Sequence, residues 1–300
     1  MGFETDRLNE YSEALAQRAE AARPSVVAVR KSEGRHVSGL IWSGGLVVTS
    51  EQALPRQDAF EAVLPGGTPV TAAMVGRDAS TNIAVLRLPQ PVQVPPYSPA
   101  SIKTGTLVLA YGSDGDGGLT ARGGIVQQSG PAWSSMRGGH IEKRIALDIR
   151  LSRREEGGPV FDAKGGLAGM SALGVRGQIL VIPTETLQRI VPQLEKHGAI
   201  ARGWLGVKLQ PVAVPDALQA EAGQSSGMMA MSVAEDGPSA KAGCLAGDIF
   251  LSIGSAPARR VRQVAALLGP DSIGRTLNAR VIRGGLVHPL SLTIEARPAE

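Results

Sequence analysis

Ser38-Gly39-Leu40-Ile41-Trp42-Ser43-Gly44-Gly45-Leu46-Val47-Val48-Thr49 holds two short apolar runs parted by Ser and Gly. Each run is too short for a helix and is bounded by turn-forming residues, so each reads as a strand. The same pattern continues on both sides. Ser25–Arg30 precedes the pair. Ala59–Leu64, Val70–Val75, Ile83–Leu88, Thr106–Tyr111, Gly123–Gln128, Arg144–Ile149, Pro159–Phe161, Leu167–Ala172 and Ile179–Ile182 follow it. Gly, Pro, Asp and Ser separate them. About a dozen short strands over roughly 160 residues predict a sandwich or paired barrels.

Different patterns flank this region. Residues 5–22 read as a helix, with Leu8, Tyr11 and Leu15 near the helical period and Pro24 ending it. Thr184–His197 places Leu187, Ile190, Val191 and Leu194 on one helical face. Gly198 is its stop, and Pro192 inside it argues against continuity. Gly203 opens a second unit. Strands are expected near Leu205–Gln210, Gly227–Ala234, Ile249–Ile253, Leu277–Ile282 and Leu290–Ile294, with helices near Ser239–Ala242 and Val261–Leu268. Strands with segregated helices predict a small α+β domain.

Composition agrees with this division. Three hundred residues suit two domains, and 43% hydrophobic residues are enough to fill ordinary cores. At 3% aromatics, those cores must be aliphatic; 38 Gly and 20 Pro fit many turns. The net charge of +4 is dispersed. The clusters Arg150, Arg153, Arg154 and Arg259, Arg260, Arg262 are short and lack interleaved aromatics, so they read as solvated surface and no nucleic-acid partner is expected. Cys244 stands alone, which excludes an intrachain disulfide and reads as a small buried hydrophobe. No stretch is apolar enough for a membrane span. Met1–Arg23 carries no apolar signal-peptide core, which predicts a cytoplasmic protein, or a periplasmic one if the true start lies upstream.

The first unit resembles the HtrA family of trypsin-like serine proteases. Pro24-Ser25-Val26-Val27 is similar to its P-S-V-V opening. Ser38–Ile41 and Leu46–Thr49 are similar to S-G-F-I and Y-I-V-T. Val75-Gly76-Arg77-Asp78 and Thr81–Leu86 are similar to V-G-R-D and T-D-L-A-V-L. Ala110-Tyr111-Gly112, Gly124-Ile125-Val126, Gly157-Gly158-Pro159-Val160, Gly165–Gly169 and Val181-Ile182-Pro183 continue the series in order. The second unit resembles a bacterial PDZ domain. Gly203-Trp204-Leu205-Gly206-Val207 is similar to its G-Y-L-G-V loop, and Gly237–Gly243 and Ala246–Phe250 to S-P-A-x-x-A-G and x-G-D-x-I. The resemblance implies a mainly β chain: an N-terminal helix (1–22), a trypsin-like double six-stranded β-barrel (23–185), a linker helix (186–202) and an α+β PDZ domain (203–297). It implies no cofactor and no metal.

Residue by residue, the resemblance places Gln52 where the family has its general-base His, Asn82 where it has the orienting Asp, and Glu156 where it has the nucleophilic Ser. A carboxamide cannot take and return a proton near neutral pH. Asp148 matches the aspartate ahead of the nucleophile motif. The oxyanion-loop positions are Arg154, Glu155 and Gly157, and the changed lead-in Ser152-Arg153-Arg154 puts that hole in doubt as well. His36, His140, His197 and His288 fall at no family catalytic position; His36 and His140 are expected in loops. Glu155 and Glu156 should point to opposite faces and pair with Arg153 or Arg154. Gly112–Gly118 lacks the ligand spacing of a calcium loop.

The expectation is therefore a chain that is not an enzyme, a pseudoprotease with a degenerate triad. It binds peptides or protein C-termini through the PDZ loop as a scaffold, chaperone-like holder or regulatory subunit. Candidate binding residues are Trp204, Leu205, Gly206, Val207, Lys208, Leu209, Val264 and Leu268, of which Leu205 and Val207 read equally as PDZ core and Val264 and Leu268 more readily as core. One alternative is an active serine endopeptidase using residues outside the family positions. Another is a structural oligomer with a blocked groove. The family resemblance implies a homotrimer, or a hetero-oligomer with an active relative, through the N-terminal helix; that helix reads equally as packing on its own barrel.

Overall fold

The computed structural model describes residues 2–298, apart from 33 and 95, with side chains from residue 6 onward. The protein is mainly β. It divides into two units, Met1–Trp133 with Ile141–Ile200, and Ser134–His140 with Ala201–Glu300.

In the first unit, β1 (Val26–Ser32), β2 (Arg35–Ile41), β3 (Leu46–Ser50), β4 (Ala59–Val63), β5 (Pro69–Asp78) and β6 (Ile83–Arg87) close a barrel in the order β1-β2-β3-β6-β5-β4. A second barrel uses β7 (Leu107–Ser113), β8 (Leu119–Gly130), β11 (Arg144–Leu147), β12 (Pro159–Asp162), β13 (Leu167–Leu173) and β14 (Ile179–Pro183), in the order β11-β14-β13-β12-β7-β8. The two-residue strands β9 (Trp133–Ser134) and β10 (His140–Ile141) form a separate ribbon. Paired barrels, not a sandwich, are the outcome. Closure leaves neither sheet an open edge.

Alternation along the strands decides which core each side chain enters. Val47 points into the first barrel with Val27, Val29, Val37 and Leu86. Leu46 and Val48 point the other way, into a core that also takes Tyr111, Phe161 and Met170 of the second barrel and Leu187, Ile190, Val191 and Leu194 of α2 (Thr184–His197). Successive side chains on a strand face opposite sides, so one short run serves both cores. The interior of the second barrel is a third cluster around Val108, Val126, Ile145, Val160 and Val181. Val, Leu and Ile carry these cores, as 3% aromatics require. Four of the ten aromatics gather in one row, Trp42–Tyr97–Phe161–Tyr111, with ring centroids 6.3, 6.0 and 6.0 Å apart.

α1 runs from Gly2 to Ala22. Its last turns pack onto the barrel core through Leu15, Ala19 and Ala22, while Leu8 and Tyr11 stay exposed. α2 is continuous through Pro192, whose ring lies on the exposed side, and Gly198 ends it with φ 72° and an N–H bond to Leu194 O at 2.8 Å.

The second unit is a sheet of β16 (Val207–Ala213), β17 (Ser226–Val233), β18 (Ile249–Ile253), β20 (Thr276–Arg283) and β21 (Leu286–Thr293) in the order β16-β17-β18-β20-β21, with β19 (Ala256–Pro257) beside β18. β15 (Gly203–Trp204) pairs with β22 (Glu295–Ala296). Three short helices complete it: α3 (Asp216–Ala222), α4 (Pro238–Lys241) and α5 (Val261–Ala266). Its core is Leu205, Met228, Phe250, Val264, Val281 and Leu292, with Cys244 buried among them. Sequence patterning misses α3, which is short and largely exposed. The first strand starts at Val207 rather than Leu205, because Gly206 turns the chain with φ 70°.

Candidate functional site

At the junction of the two barrels, three elements end at one point: the C-terminus of β3, the loop entering β6, and the loop entering β12. They bring together the positions singled out above. Gln52 lies in a single helical turn, Glu51–Ala53, directly after β3. Asn82 precedes β6 in the left-handed region, φ 61°, which Asn tolerates better than most residues. Its backbone carbonyl accepts the Glu51 N–H at 3.3 Å and its Oδ1 accepts the Gln52 N–H at 2.8 Å. Asn82 therefore fixes the turn that aims Gln52.

Gln52 Nε2 donates to Glu156 Oε1 at 2.7 Å and to Leu173 O at 2.9 Å. Ser50 Oγ lies 2.7 Å from the same carboxylate oxygen and 3.1 Å from Asn82 Oδ1. Its one proton belongs with the charged, nearer acceptor. The Leu173 N–H also donates to Glu156 Oε1, at 3.3 Å. Glu156 is 5% exposed and Ser50 fully buried. A buried carboxylate is costly unless hydrogen-bonded, and these three donors answer that demand.

Glu155 takes different partners; the two glutamates lie in a turn, residues 153–157, and not on the extended chain expected. The expected pairing with Arg153 or Arg154 is not what forms: Glu155 takes Arg122 Nε at 2.8 Å and the Ser152 N–H at 2.8 Å, and Glu156 forms no ion pair among the described residues. Burial pushes the Glu155 carboxyl up, but Arg122 and Ser152 together hold it below the usual glutamate range. Of the loop positions, Glu155 N–H is bonded to Ser152 O and Gly157 N–H to Ser171 O, so neither is free to receive an oxyanion. Arg154 offers its carbonyl to Ser38 Oγ at 2.8 Å. Gly157 has φ 89°, and a Cβ there would collide with Ser38 O and Thr49 Oγ1, so glycine is required.

Chemically, Gln52 is a donor here and Glu156 an acceptor. Ser50 with Glu156 is the one hydroxyl–carboxylate pair in the cluster. None of the four histidines joins it. The loop expectation for His36 is corrected: it is buried in β2, its Nε2 3.0 Å from Ser113 O. His140 sits in the short strand β10 and not in a loop. No group of three or more His, Cys, Asp or Glu suited to a metal occurs among the described residues. Ser50 and Leu173 are the members of the cluster that sequence reasoning missed. Ser50 lies two residues before Gln52 and was legible as a neighbour; the Leu173 amide carries no sequence signal at all.

The sheet of the second unit presents the other candidate. β16 is its terminal strand, bonded only to β17. Ahead of it, Leu205 O accepts the Ser239 N–H at 2.8 Å and Gly206 O accepts the Ala234 N–H at 2.7 Å. In trans peptides the following N–H points opposite each carbonyl, so those of Gly206 and Val207 face away from these bonds. Leu205 and Val264 are buried, Val207, Leu209 and Leu268 half-buried, Trp204 half-buried and Lys208 exposed. Leu205 and Val264 thus belong to the core. Gly206 is needed: a Cβ would lie 2.9 Å from Gly237 Cα.

Comparisons with known proteins follow the same division. The trypsin-like peptidase domain family matches residues 37–170 and the PDZ domain family residues 203–294. A probable periplasmic serine endoprotease, DegP-like, of Brucella suis is 30% identical over 272 residues, 87% of this chain and 52% of that protein. The DegP-like protein of Rhizobium meliloti is 27% identical over 87% of this chain and 53% of its own length. The chain therefore spans about half the length of these relatives. Among solved structures, the HtrA-type protease AlgW with tripeptide superposes with a TM-score of 0.69 at 26% identity, covering 95% of this chain and 98% of that one. The serine endoprotease from Yersinia pestis, at 24% identity and a TM-score of 0.72, covers 94% and 98% and shares the fold. These names correct the expectation that the chain is not an enzyme: the relatives are serine endoproteases by name, and nothing in the comparisons speaks for inactivity. The chain thus carries a trypsin-like peptidase domain of two closed barrels and a PDZ domain after it, the domain order of the HtrA-type proteases to which it is similar.

Proposed function

We propose that this protein acts on polypeptides as an HtrA-type serine endoprotease whose PDZ domain captures an extended chain by its C-terminus. The observation that carries the capture half is the open edge of β16 behind a loop whose carbonyls are tied back. An added strand finds backbone partners there, and the freed N–H groups of Gly206 and Val207 suit a terminal carboxylate. Val207, Leu209 and Leu268, half-buried, suit the last apolar side chain of the peptide.

The endoprotease half rests on the relatives. Within this chain the chemistry would have to draw on groups other than a Ser-His-Asp set at residues 156, 52 and 82. Ser50 bonded to Glu156 is the nearest hydroxyl–base pair, and its burial means that substrate reaches it only after the Gln52 turn opens.

A fluorophosphonate probe with casein cleavage tests that half. Labelling of one serine, lost together with cleavage in its alanine variant, identifies the nucleophile. No labelling and no cleavage at any enzyme concentration overturns the endoprotease half. Calorimetry with peptides ending in a free apolar residue tests the capture half; equal affinity for their C-terminal amides overturns it.

A further inference from the structure

A groove of about 650 Å3 opens beside the barrel junction, on the outer face of the β1–β2 hairpin. Its lining includes the cations Arg30, Lys31, Arg35 and Arg154 and the exposed Gln57 and Ala59. Acidic residues reach it too, but each is already engaged. Glu61 and Asp116 both pair with Arg30, at 2.5 and 3.1 Å. Asp114 Oδ1 accepts the N–H groups of Asp116 and Gly118, each at 2.9 Å. No ion pair forms with Lys31, Arg35, Arg153 or Arg154 among the described residues; Arg35 Nε rests on Ser32 Oγ at 3.0 Å. In sequence, the segments 30–36 and 150–154 hold Arg30, Lys31, Arg35, Arg150, Arg153 and Arg154 against Glu33 alone. The groove is joined to the junction through Ser38, whose N–H donates to Glu156 O at 3.0 Å and whose Oγ donates to Arg154 O.

Like charges crowd here. Burial holds the Lys31 ammonium below the ordinary lysine range; Glu156 pulls it back up, and Arg35 and Arg153 push it down again. Cations left together without carboxylate partners lower the stability of the free protein and are relieved by an anionic ligand.

We propose that this groove binds acidic segments of polypeptide, running Asp and Glu side chains along Lys31, Arg35 and Arg154 next to the barrel junction. From the preceding section it takes only that the ligand is a polypeptide. A peptide suits the groove better than a nucleic acid: Gln57 and Ala59 offer exposed amide and apolar surface to its side chains, and separate Asp and Glu side chains can reach the cations while avoiding Asp114 and Asp116, which an unbroken phosphate backbone cannot.

The test uses the full chain and fluorescence anisotropy. The probe is a labelled peptide rich in Asp and Glu, amidated at its C-terminus so that carboxylate capture plays no part. It should bind, weaken steeply with added salt, and bind about tenfold more tightly than the Asn/Gln counterpart. The double variant Lys31→Glu/Arg35→Glu should lose that preference and instead favour the matching Lys-rich peptide. Arg35 is exposed and Lys31 half-buried, so an unchanged unfolding midpoint checks the fold. Equal binding of acidic and amide peptides overturns the proposal, as does unchanged binding in the double variant. Tighter binding of duplex DNA than of the acidic peptide, lost in the same variant, overturns it in favour of a nucleic-acid surface. A neutral peptide with a free apolar C-terminus reports on the PDZ domain separately and should bind parent and variant alike. Loss of that signal alone counts against PDZ capture and not against the groove.

Discussion

Glu156 is the residue on which the barrel junction turns. Its Oε1 gathers the Ser50 hydroxyl, the Gln52 amide and the Leu173 N–H. Glu156→Ala would leave the Leu173 N–H unanswered while Ser50 keeps Asn82 Oδ1 and Gln52 keeps Leu173 O, and urea denaturation should show a loss of about 1.5 kcal/mol. A loss below about 0.5 kcal/mol would mean that water replaces the carboxylate without cost. Glu155 and Asp248 are among the carboxylates that contribute to acid sensitivity. Glu155 is held low against its burial by Arg122 and Ser152, and Asp248 against its burial by Arg283 and the Leu245 N–H. For a depressed carboxyl the unfolded chain binds the proton first, so stability falls as pH falls below the ordinary values of 4.5 and 3.8 toward the lowered ones. Arg122→Gln should flatten the first part of that decline and Arg283→Gln the second, read as unfolding free energy against pH. Burial and Asp248 push the Cys244 thiol up to about 12, so it should resist thiol reagents in the folded protein.

Elements carry the next set of consequences. α2 keeps its course through Pro192 because the buried stripe of Leu187, Ile190, Val191 and Leu194 holds it there. Proline still removes one helical hydrogen bond and crowds the carbonyl four residues back. Since Pro192 is exposed, Pro192→Ala should raise stability by about 2 kcal/mol and the thermal midpoint with it. The loop before β16 makes the opposite case. Gly206 has φ 70° and faces Gly237 across 2.9 Å from the position of a Cβ. Gly206→Ala should weaken C-terminal peptides by more than about tenfold in calorimetry while leaving the barrel unit unaltered; unchanged affinity would show that the loop does not hold the carboxylate.

At the scale of the molecule, the cores are separate. Phe250, Met228, Val281 and Leu292 fill the PDZ unit, and the barrel clusters contain none of them. Calorimetry should resolve two transitions, with Phe250→Ala lowering one by several degrees and sparing the other. A single transition shifted as a whole would overturn this.

Much of this plan was legible in the order of short aliphatic strands, because a closed barrel is built from local alternation that each run displays. The meeting of Gln52, Asn82 and Glu156 at one point was not legible from alternation; it was implied by the resemblance, which sets them at the family's triad positions. What patterning could not show was the partner of each side chain. Arg122 reaches Glu155 from a strand distant in sequence, and the Leu173 amide reaches Glu156 by backbone alone. His36, polar and flanked by Arg35, read as loop; its hydrogen bond to Ser113 O is what makes a buried place in β2 acceptable.

The scarcity of aromatic rings also has an optical consequence. Of the three indoles, Trp42 is locked in the barrel's aromatic row and Trp133 lies under the Arg144 guanidinium, 5.4 Å from its ring centroid. Trp204 alone stands at the carboxylate loop, half-buried, its ring edge 3.4 Å from where a Gly206 Cβ would be. Replacing Trp42 and Trp133 by Phe leaves one natural indole, just ahead of the β16 edge. Its emission wavelength becomes a titration signal for bound peptide, with no dye attached to either partner.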